Sequence, residues 1–247
     1  MTTRHNVSLM GTVFSFCLMA SGARARRAIE AATAELEAVD RAFSPFRDDS
    51  LVTRVRRGEL APESYPPPLA EVVRRCAEIT AGTDGWFDPW AVPGGFDPSG
   101  LVKGWSVERA ADRIRAAGVR DFALAGGGDV LVRGSGPTGP WRVGIRDPRD
   151  PRQAVLVLEL TDAAVATSGS YERGGHIVDP RTGRPVTALA SATVVGPDLG
   201  TADAYATALY VAGPAGLHWF GPTEGYHGLV VDHELRATYT DGLPCMP

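Results

Sequence analysis

A carboxylate and a hydroxyl stand four residues apart in the apolar segment GTADAYATALYVAG, as Asp203 and Thr207. If this segment forms a helix, the two side chains lie on one face, one turn apart. Both offer the hard oxygen ligands that Mg²⁺ prefers, and Mg²⁺ completes its shell with water and phosphate oxygens. Such pairs are common in ordinary helices, so the spacing alone favours a structural role. Asp203 is surrounded by alanines, however, and a carboxylate buried there requires a partner.

A histidine and a second acid flank a short apolar pair in GGHIVDPRTGRPV, at His176 and Asp179. The letters DPRTG are typical of a tight turn, because Asp, Pro and Gly each favour turn geometry. A positioned imidazole acts as a general base only if the group to be deprotonated lies within hydrogen-bonding distance. The sequence does not give that distance, so a structural histidine remains the alternative.

Two glycine-containing segments are suited to phosphate or to a flat ligand. In FDPSGLVKGWSVERAA, a polar turn with Ser99 and Lys103 precedes a helical pattern, and free N–H groups at a helix start suit phosphate. In LAGGGDVLV, three glycines allow close approach of a ligand, although a simple bulge fits equally well. The letters GSGPTG at 134–139 match a dinucleotide fingerprint. A strand pattern rather than a helix follows them, so they are predicted to form a hairpin loop.

These segments lie among predicted elements that do not alternate regularly. Apolar spacing predicts helices over 24–46, 50–58, 66–82, 102–118 and 200–213. Strands are predicted over 122–134, 141–147, 154–162, 163–171 and 190–196, with a closing hairpin over 228–240. This order favours the α+β class, with mixed or antiparallel sheets packed against helices. The chain contains no low-complexity linker, and one domain is predicted over residues 1–247.

The composition argues against several classes of protein. A net charge of −4 leaves no basic excess with which to neutralise the phosphates of nucleic acid. The three cysteines, Cys17, Cys76 and Cys245, are too few and too far apart for a disulfide framework, and they fit a reducing compartment. The N-terminal apolar run is interrupted by polar residues, which favours a first β-strand over a signal peptide. No run reaches the roughly 20 apolar residues of a membrane span, so we expect a cytoplasmic protein, with an exported form as the alternative.

Taken in order along the chain, these segments resemble those of the ApbE-like FAD:protein FMN transferases. The resemblance covers nearly the whole chain and is carried by MGT, FSPFRDDSLVTRV, GWFDPW, DPSGLVKGWSVERAA, AGGGDV, ATSGSY, HIVDPRTGRPV and TADAYATAL. It implies transfer of FMN from FAD to a threonine or serine hydroxyl of an acceptor protein, with release of AMP. The implied metal is Mg²⁺, with Mn²⁺ as the alternative, and the acceptor is expected to carry a Ser/Thr-containing motif.

The resemblance also implies roles for individual residues. His176 would be the general base, Asp203 would take part in catalysis, and Asp203, Thr207 and the main-chain oxygen of Val102 would hold the metal. Asp179 would support the turn that carries His176. The FAD-binding residues would be Met10, Ser44, Asp88, Ser99, Lys103, Gly126, Gly127, Asp129, Ser168, Asp179 and Thr182.

The chain departs from the family pattern at three positions near the lysine-glycine motif. Ser99 replaces a glycine, Val102 replaces an alanine, and the segment between Trp90 and Phe96 is short, which predicts a different cover over the flavin. Two other interpretations remain open at this stage. One is an FAD-binding protein or a Mg²⁺-dependent FAD pyrophosphatase without a protein acceptor, and the other is a non-enzymatic interaction domain. The sequence does not predict the oligomeric state.

Overall fold

A computed structural model describes residues 1–92, 94–150, 152–169, 177–220 and 225–245. Within these residues the helices are α1 (Gly22–Phe43), α2 (Leu51–Arg56), α3 (Pro67–Gly82), α4 (Ser99–Ala116) and α5 (Leu199–Ala212). The strands are β1 (Thr3–Leu9), β2 (Thr12–Leu18), β3 (Phe122–Gly126), β4 (Asp129–Arg133), β5 (Trp141–Arg146), β6 (Ala154–Leu160), β7 (Ala163–Gly169), β8 (Ser191–Gly196), β9 (His227–Val231) and β10 (Ala237–Tyr239).

Eight of these strands form one sheet, in the order β1-β2-β3-β4-β7-β8-β9-β10. Strands β5 and β6 form a separate hairpin. Neighbouring strands pair antiparallel throughout. The predicted α+β class with antiparallel sheets and helices is therefore confirmed.

The large sheet lies between a helical layer and the β5–β6 hairpin, as the alternation of side chains along β7 shows. Ala164 and Ala166 face the larger core, which contains the apolar residues of α1, α3, α4 and α5. Val165, between them, faces a smaller core shared with Ile145 and Leu158 of the hairpin. Successive side chains of a strand point to opposite faces, so one strand contributes to both cores.

Two segments that were predicted as single strands, the N-terminal segment and residues 122–134, each form two antiparallel strands joined by a tight turn. Met10 and Gly11 have φ angles of 52° and 69°, and they turn the N-terminal segment back on itself between β1 and β2. Gly127 and Gly128, at 57° and 92°, do the same between β3 and β4. Positive φ at consecutive residues makes the tight turn that joins two antiparallel strands. The apolar pattern continues across both turns and therefore hides them.

The segment GSGPTG at 134–139 is not the predicted hairpin loop, because β4 and β5 do not pair with each other. β4 pairs with β7, and β5 pairs with β6, so the segment connects the large sheet to the small one. It is closed locally by Gly136, whose N–H donates to the Gly139 carbonyl at 2.7 Å. A strand, β5, follows this segment as predicted, whereas a dinucleotide fingerprint would be followed by a helix.

The predicted helices are confirmed, with small shifts at their ends. Ser50 is the N-cap of α2, where its hydroxyl accepts from the Thr53 N–H at 3.1 Å. Asp198 caps α5 in the same way and accepts from the Thr201 N–H at 2.8 Å. None of the helices in the described part of the chain is long and apolar enough to cross a membrane.

Candidate active site

A cleft with a volume of about 1400 Å³ opens at one end of the large sheet, where β2 and β4 begin and β3 and β7 end. Residues at these strand ends line it, among them Thr12, Gly127 and Gly169. The start of α4, the middle of α5, strand β5, the DPRTG turn and the segments that follow α1 and α3 supply further walls. The cleft is larger than the ~300–1,000 Å³ typical of small-ligand pockets.

Helices α4 and α5 approach each other closely at the cleft because both carry glycine at the crossing. A Cβ atom on Gly104 would lie 2.4 Å from the Leu199 carbonyl oxygen, and one on Gly200 would lie 3.1 Å from the Trp105 nitrogen. Backbone therefore packs against backbone, as small residues allow. This contact places Lys103 of α4 beside Asp203 of α5.

Lys103 is held by two buried carboxylates from different elements. Its Nζ donates to Asp129 Oδ2 at the start of β4 and to Asp203 Oδ1 at 3.2 Å. Asp129 is fully buried, and Asp203 is 4% exposed. The remaining oxygens are also satisfied: Asp129 Oδ1 accepts from the Thr167 N–H at 3.0 Å, and Asp203 Oδ2 accepts from the Gly104 N–H at 3.1 Å.

Burial and charge act in opposite directions on these three groups. Burial raises the pKa of Asp203 to about 7; Lys103 opposes this rise, and the nearby Asp129 carboxylate adds to it. Burial likewise raises the pKa of Asp129, against the attraction of Lys103. For Lys103, burial alone would lower the pKa, but the two carboxylates outweigh it and raise the pKa above its ordinary value. In this group of three side chains, one ammonium, that of Lys103, is thus shared by two buried carboxyl groups.

The predicted metal ligands share the cleft with this group. Asp203, Thr207 and Val102 all line it. Thr207 Oγ1 lies 3.3 Å from Ser168 Oγ, and a Cβ on Gly100 would lie 3.3 Å from the same Thr207 oxygen. The missing side chain of Gly100 therefore leaves room beside the hydroxyl. Among the described residues, no group of three or more His, Cys, Asp or Glu could hold a metal.

The DPRTG segment forms the predicted tight turn, and Asp179 organises it. The Asp179 carboxylate accepts from the Arg181 N–H at 2.8 Å and from the Thr182 hydroxyl at 3.1 Å. Its carbonyl accepts from the Gly183 N–H at 2.7 Å. The turn therefore closes through the side chain and the backbone of Asp179. His176, the predicted base, lies outside the described residues.

The cleft brings together most of the predicted ligand-binding residues in the described part of the chain. Those lining it are Met10, Ser44, Asp88, Ser99, Lys103, Gly127 and Ser168. Asp129 lies beneath the cleft surface, in contact with Lys103. Gly126 packs against the Phe14 ring, since a Cβ there would lie 2.7 Å from it. Asp179 and Thr182 belong to the turn at the rim, while their neighbours Val178 and Pro180 line the cleft.

Sequence reasoning missed several residues that line the cleft. Phe46 is 95% exposed, and Trp86 and Arg146 also contribute to the walls. Its sequence context could have identified Phe46, because a large aromatic side chain in the polar segment FSPFRDD is not expected to be part of the hydrophobic core. Arg146 lies at the end of β5, and nothing in its local sequence places the hairpin beside the cleft.

Comparison with known proteins identifies the relatives of this chain. The sequence model described as the ApbE family matches residues 10–94 and 93–227. An FAD:protein FMN transferase of Vibrio cholerae is 38% identical over 128 residues, covering 47% of this chain and 38% of the relative. One from Rhodobacter capsulatus is 42% identical over 126 residues, covering 48% and 24%. One from Salmonella typhimurium is 27% identical over 270 residues, covering 83% and 77%. The matches to the first two thus span less than half of those relatives.

Solved structures share the fold over nearly the full chain. The flavin transferase ApbE from Vibrio cholerae superposes with a TM-score of 0.85 at 22% identity, covering 97% of this chain and 96% of that one. The ApbE protein from Thermotoga maritima has a TM-score of 0.84 at 24% identity, covering 98% and 97%. The match to the family's sequence model extends from the Met10 turn to the start of β9, and it includes the cleft and helices α4 and α5. The chain therefore belongs to the ApbE family.

Proposed function

We propose that this chain is an FAD:protein FMN transferase, which moves FMN from FAD to a threonine or serine hydroxyl of an acceptor protein and releases AMP. The observation that carries the proposal is the Lys103–Asp203–Asp129 group with Thr207, set in a cleft of about 1400 Å³. A pyrophosphate needs cationic groups at its oxygens, and a dinucleotide needs a large cleft. Family membership and the activity named for the relatives support the same activity.

In the proposed reaction, the acceptor hydroxyl oxygen attacks the phosphorus of the FMN half of FAD. A new P–O bond forms, the bond from that phosphorus to the bridging oxygen breaks, and AMP leaves with the electron pair. The hydroxyl proton passes to His176, acting as general base. Phosphoryl transfer of this kind depends mainly on positioning and charge stabilisation.

The donor set beside Lys103 fits Mg²⁺, with Mn²⁺ as the alternative. Asp203 would supply a carboxylate oxygen, Thr207 a hydroxyl beside the space left by Gly100, and Val102 its main-chain oxygen. These are hard ligands, and the two buried carboxylates Asp203 and Asp129 share a single ammonium. A bound Mg²⁺ would neutralise charge that develops on the phosphate oxygens.

The protein groups around the metal ligands would bind and orient the substrate. Lys103 would place its ammonium at the pyrophosphate, and Asp129 would hold that ammonium from below. The Gly127–Gly128 turn would let the backbone approach the ligand, since neither residue carries a side chain. Asp179 and Thr182 would act indirectly, by fixing the turn that follows His176.

Incubation with FAD, MgCl₂ and the isolated flavin-carrying domain of a redox subunit tests the proposal. We expect a fluorescent flavin band on the acceptor in a denaturing gel, with one AMP released per flavin attached. Loss of the band when the acceptor Ser/Thr is replaced by alanine controls for adsorbed flavin. Release of FMN and AMP without labelling would instead identify an FAD pyrophosphatase, and no FAD turnover at all would overturn the enzymatic proposal.

We further propose that residues 1–247 act as one domain in the cytoplasm. The few, separated cysteines support a reducing compartment. Mass spectrometry of the protein purified from its native cells tests the location. An N-terminus still carrying Met10 and the residues before it agrees with this proposal, whereas cleavage within the first 25 residues contradicts it.

A further inference from the structure

Helix α3 ends in two residues with positive φ, which lead directly into Trp86 at the wall of the cleft. Asp84 and Gly85 follow the helix with φ angles of 50° and 77°. The Gly85 N–H donates back to the Thr80 carbonyl at 2.8 Å, which closes the end of the helix. A helix C-terminus carries partial negative charge and favours a cation, yet the last turn of α3 contains no basic residue.

Arg181, from the DPRTG turn far along the chain, supplies that cation. Its guanidinium carbon lies 3.6 Å from the centroid of the Trp86 ring, and its Nη2 donates to the Asp84 carbonyl at 3.0 Å. Stacking over the ring and a hydrogen bond at its edge suit a planar guanidinium. At the backbone, the Arg181 N–H is held by the Asp179 carboxylate at 2.8 Å.

The contact joins two walls of the cleft. Trp86 lines the cleft from the α3 side, whereas Ile177, Val178 and Pro180 line it from the side of the turn. Ile177 directly follows His176 in the chain, and the Val186 N–H fixes it by donating to the Ile177 carbonyl at 3.0 Å. The position of the turn relative to Trp86 therefore fixes Ile177 and Val178 at the wall of the cleft.

We propose that Arg181 is a positioning residue, which clamps the DPRTG turn to Trp86 and Asp84 and so fixes Ile177, the cleft residue that directly follows the proposed base His176 in the chain. This inference rests on the proposed transferase function. The Arg181 guanidinium is directed to the end of α3 and Arg181 does not line the cleft, so we expect no direct contact with FAD. Loss of the clamp lowers the rate of transfer and leaves the affinity for FAD unchanged.

The test compares Arg181→Ala, Arg181→Lys and a matched control, Arg184→Ala. Arg184 lies in the same exposed turn, and its side chain makes no hydrogen bond or ion pair to the described part of the chain. For Arg181→Ala we expect kcat for acceptor labelling to fall about fivefold to tenfold, the effect of losing one cation–π contact and one hydrogen bond. The Kd for FAD, measured by calorimetry, should match that of the wild type, and Tm should fall by only a few degrees.

Arg181→Lys should recover part of kcat, since an ammonium can still approach the ring and the carbonyl, and Arg184→Ala should retain all of it. Unchanged kcat in Arg181→Ala would overturn the clamp, as would an equal loss in Arg184→Ala. A loss of FAD affinity in Arg181→Ala would also overturn it, because Arg181 would then act in binding. A wild-type protein that labels no acceptor contradicts the transferase function itself, which separates that failure from failure of the clamp.

Discussion

Lys103 and Asp203 meet at 3.2 Å although one hundred residues of chain separate them. Their contact depends on the close crossing of α4 and α5, in which the Gly104 N–H also donates to the Asp203 carboxylate. One acid thus contacts both a side-chain ammonium and the helix backbone beside it.

Replacing Asp203 with asparagine should abolish most metal-dependent turnover while the protein remains folded. The amide keeps the shape of the side chain and an oxygen for the Gly104 N–H, but it has no charge for a divalent cation. We expect labelling of the acceptor to fall about 10²-fold or more. Rates measured across a MgCl₂ titration, with and without EDTA, check this prediction. Wild-type rates in the variant, or an EDTA-insensitive wild type, would remove Asp203 from the metal site.

Replacing Lys103 with methionine should destabilise the fold, because it leaves the fully buried Asp129 without its cation. Loss of one partner of a buried pair costs about 3–5 kcal/mol in the free energy of unfolding. The double variant Lys103→Met/Asp129→Asn should recover part of this loss, since one of the two carboxylates left without an ammonium is removed and Asp203 remains. Urea denaturation of the two single variants and the double variant measures the coupling. Additive effects would contradict it.

Alanine at Gly104 and alanine at Gly100 should have different effects, although the two sites lie one turn apart on α4. The Cβ at Gly104 would meet the Leu199 backbone at 2.4 Å, so the helices must separate. We expect a loss of about 1–3 kcal/mol in the free energy of unfolding, together with lower activity.

The Cβ at Gly100 would instead meet the side chains of Phe87 and Thr207, at 3.2 and 3.3 Å. Gly100→Ala should therefore crowd the Thr207 hydroxyl and raise the MgCl₂ concentration needed for half-maximal rate, with a smaller change in stability. Thermal melts and MgCl₂ titrations of both variants separate the two effects. A reversed order, with Gly100→Ala the less stable, would contradict this account of the helix crossing.

Glu35 of α1 should stabilise the protein at neutral pH but not in acid. Burial raises its pKa, but hydrogen bonds from Arg113 and Arg109 of α4 outweigh burial and lower the pKa below the ordinary value of 4.5. Its contribution is therefore complete above pH 4.5, and it is lost as the pH falls through the lower, folded-state pKa. Glu35→Gln should cost about 1–2 kcal/mol at pH 7. The difference from wild type should shrink below pH 4, and urea melts at both pH values measure it.

The sequence predicts those parts of the site that depend on local spacing. Asp203 and Thr207 lie on one face of α5 because a helical period requires it, and Asp179 closes the DPRTG turn through contacts within four residues. The need of Asp203 for a partner also follows from the alanines around it. Its partner, Lys103, was not predicted, because nothing in the periodicity pairs α4 with α5 and the family resemblance implies only an FAD-binding role for Lys103.

Other features depend on contacts that no local pattern records. The Met10–Gly11 turn is missed because methionine rarely adopts positive φ and apolar residues continue on both sides. The function of Gly104 depends on Leu199, far away in the chain, and the clamp of Arg181 depends on Trp86. The placement of Arg146 in the cleft follows from how the β5–β6 hairpin packs, which is a tertiary property.

The division of the charged group between α4, β4 and α5 has a consequence for synthesis of the protein. A growing chain on the ribosome that ends before residue 203 holds Lys103 and Asp129 but lacks the second acid and the helix that buries it. We therefore expect truncated or stalled products to have no nucleotide affinity, so that retention on an immobilised FAD resin would separate complete chains from fragments.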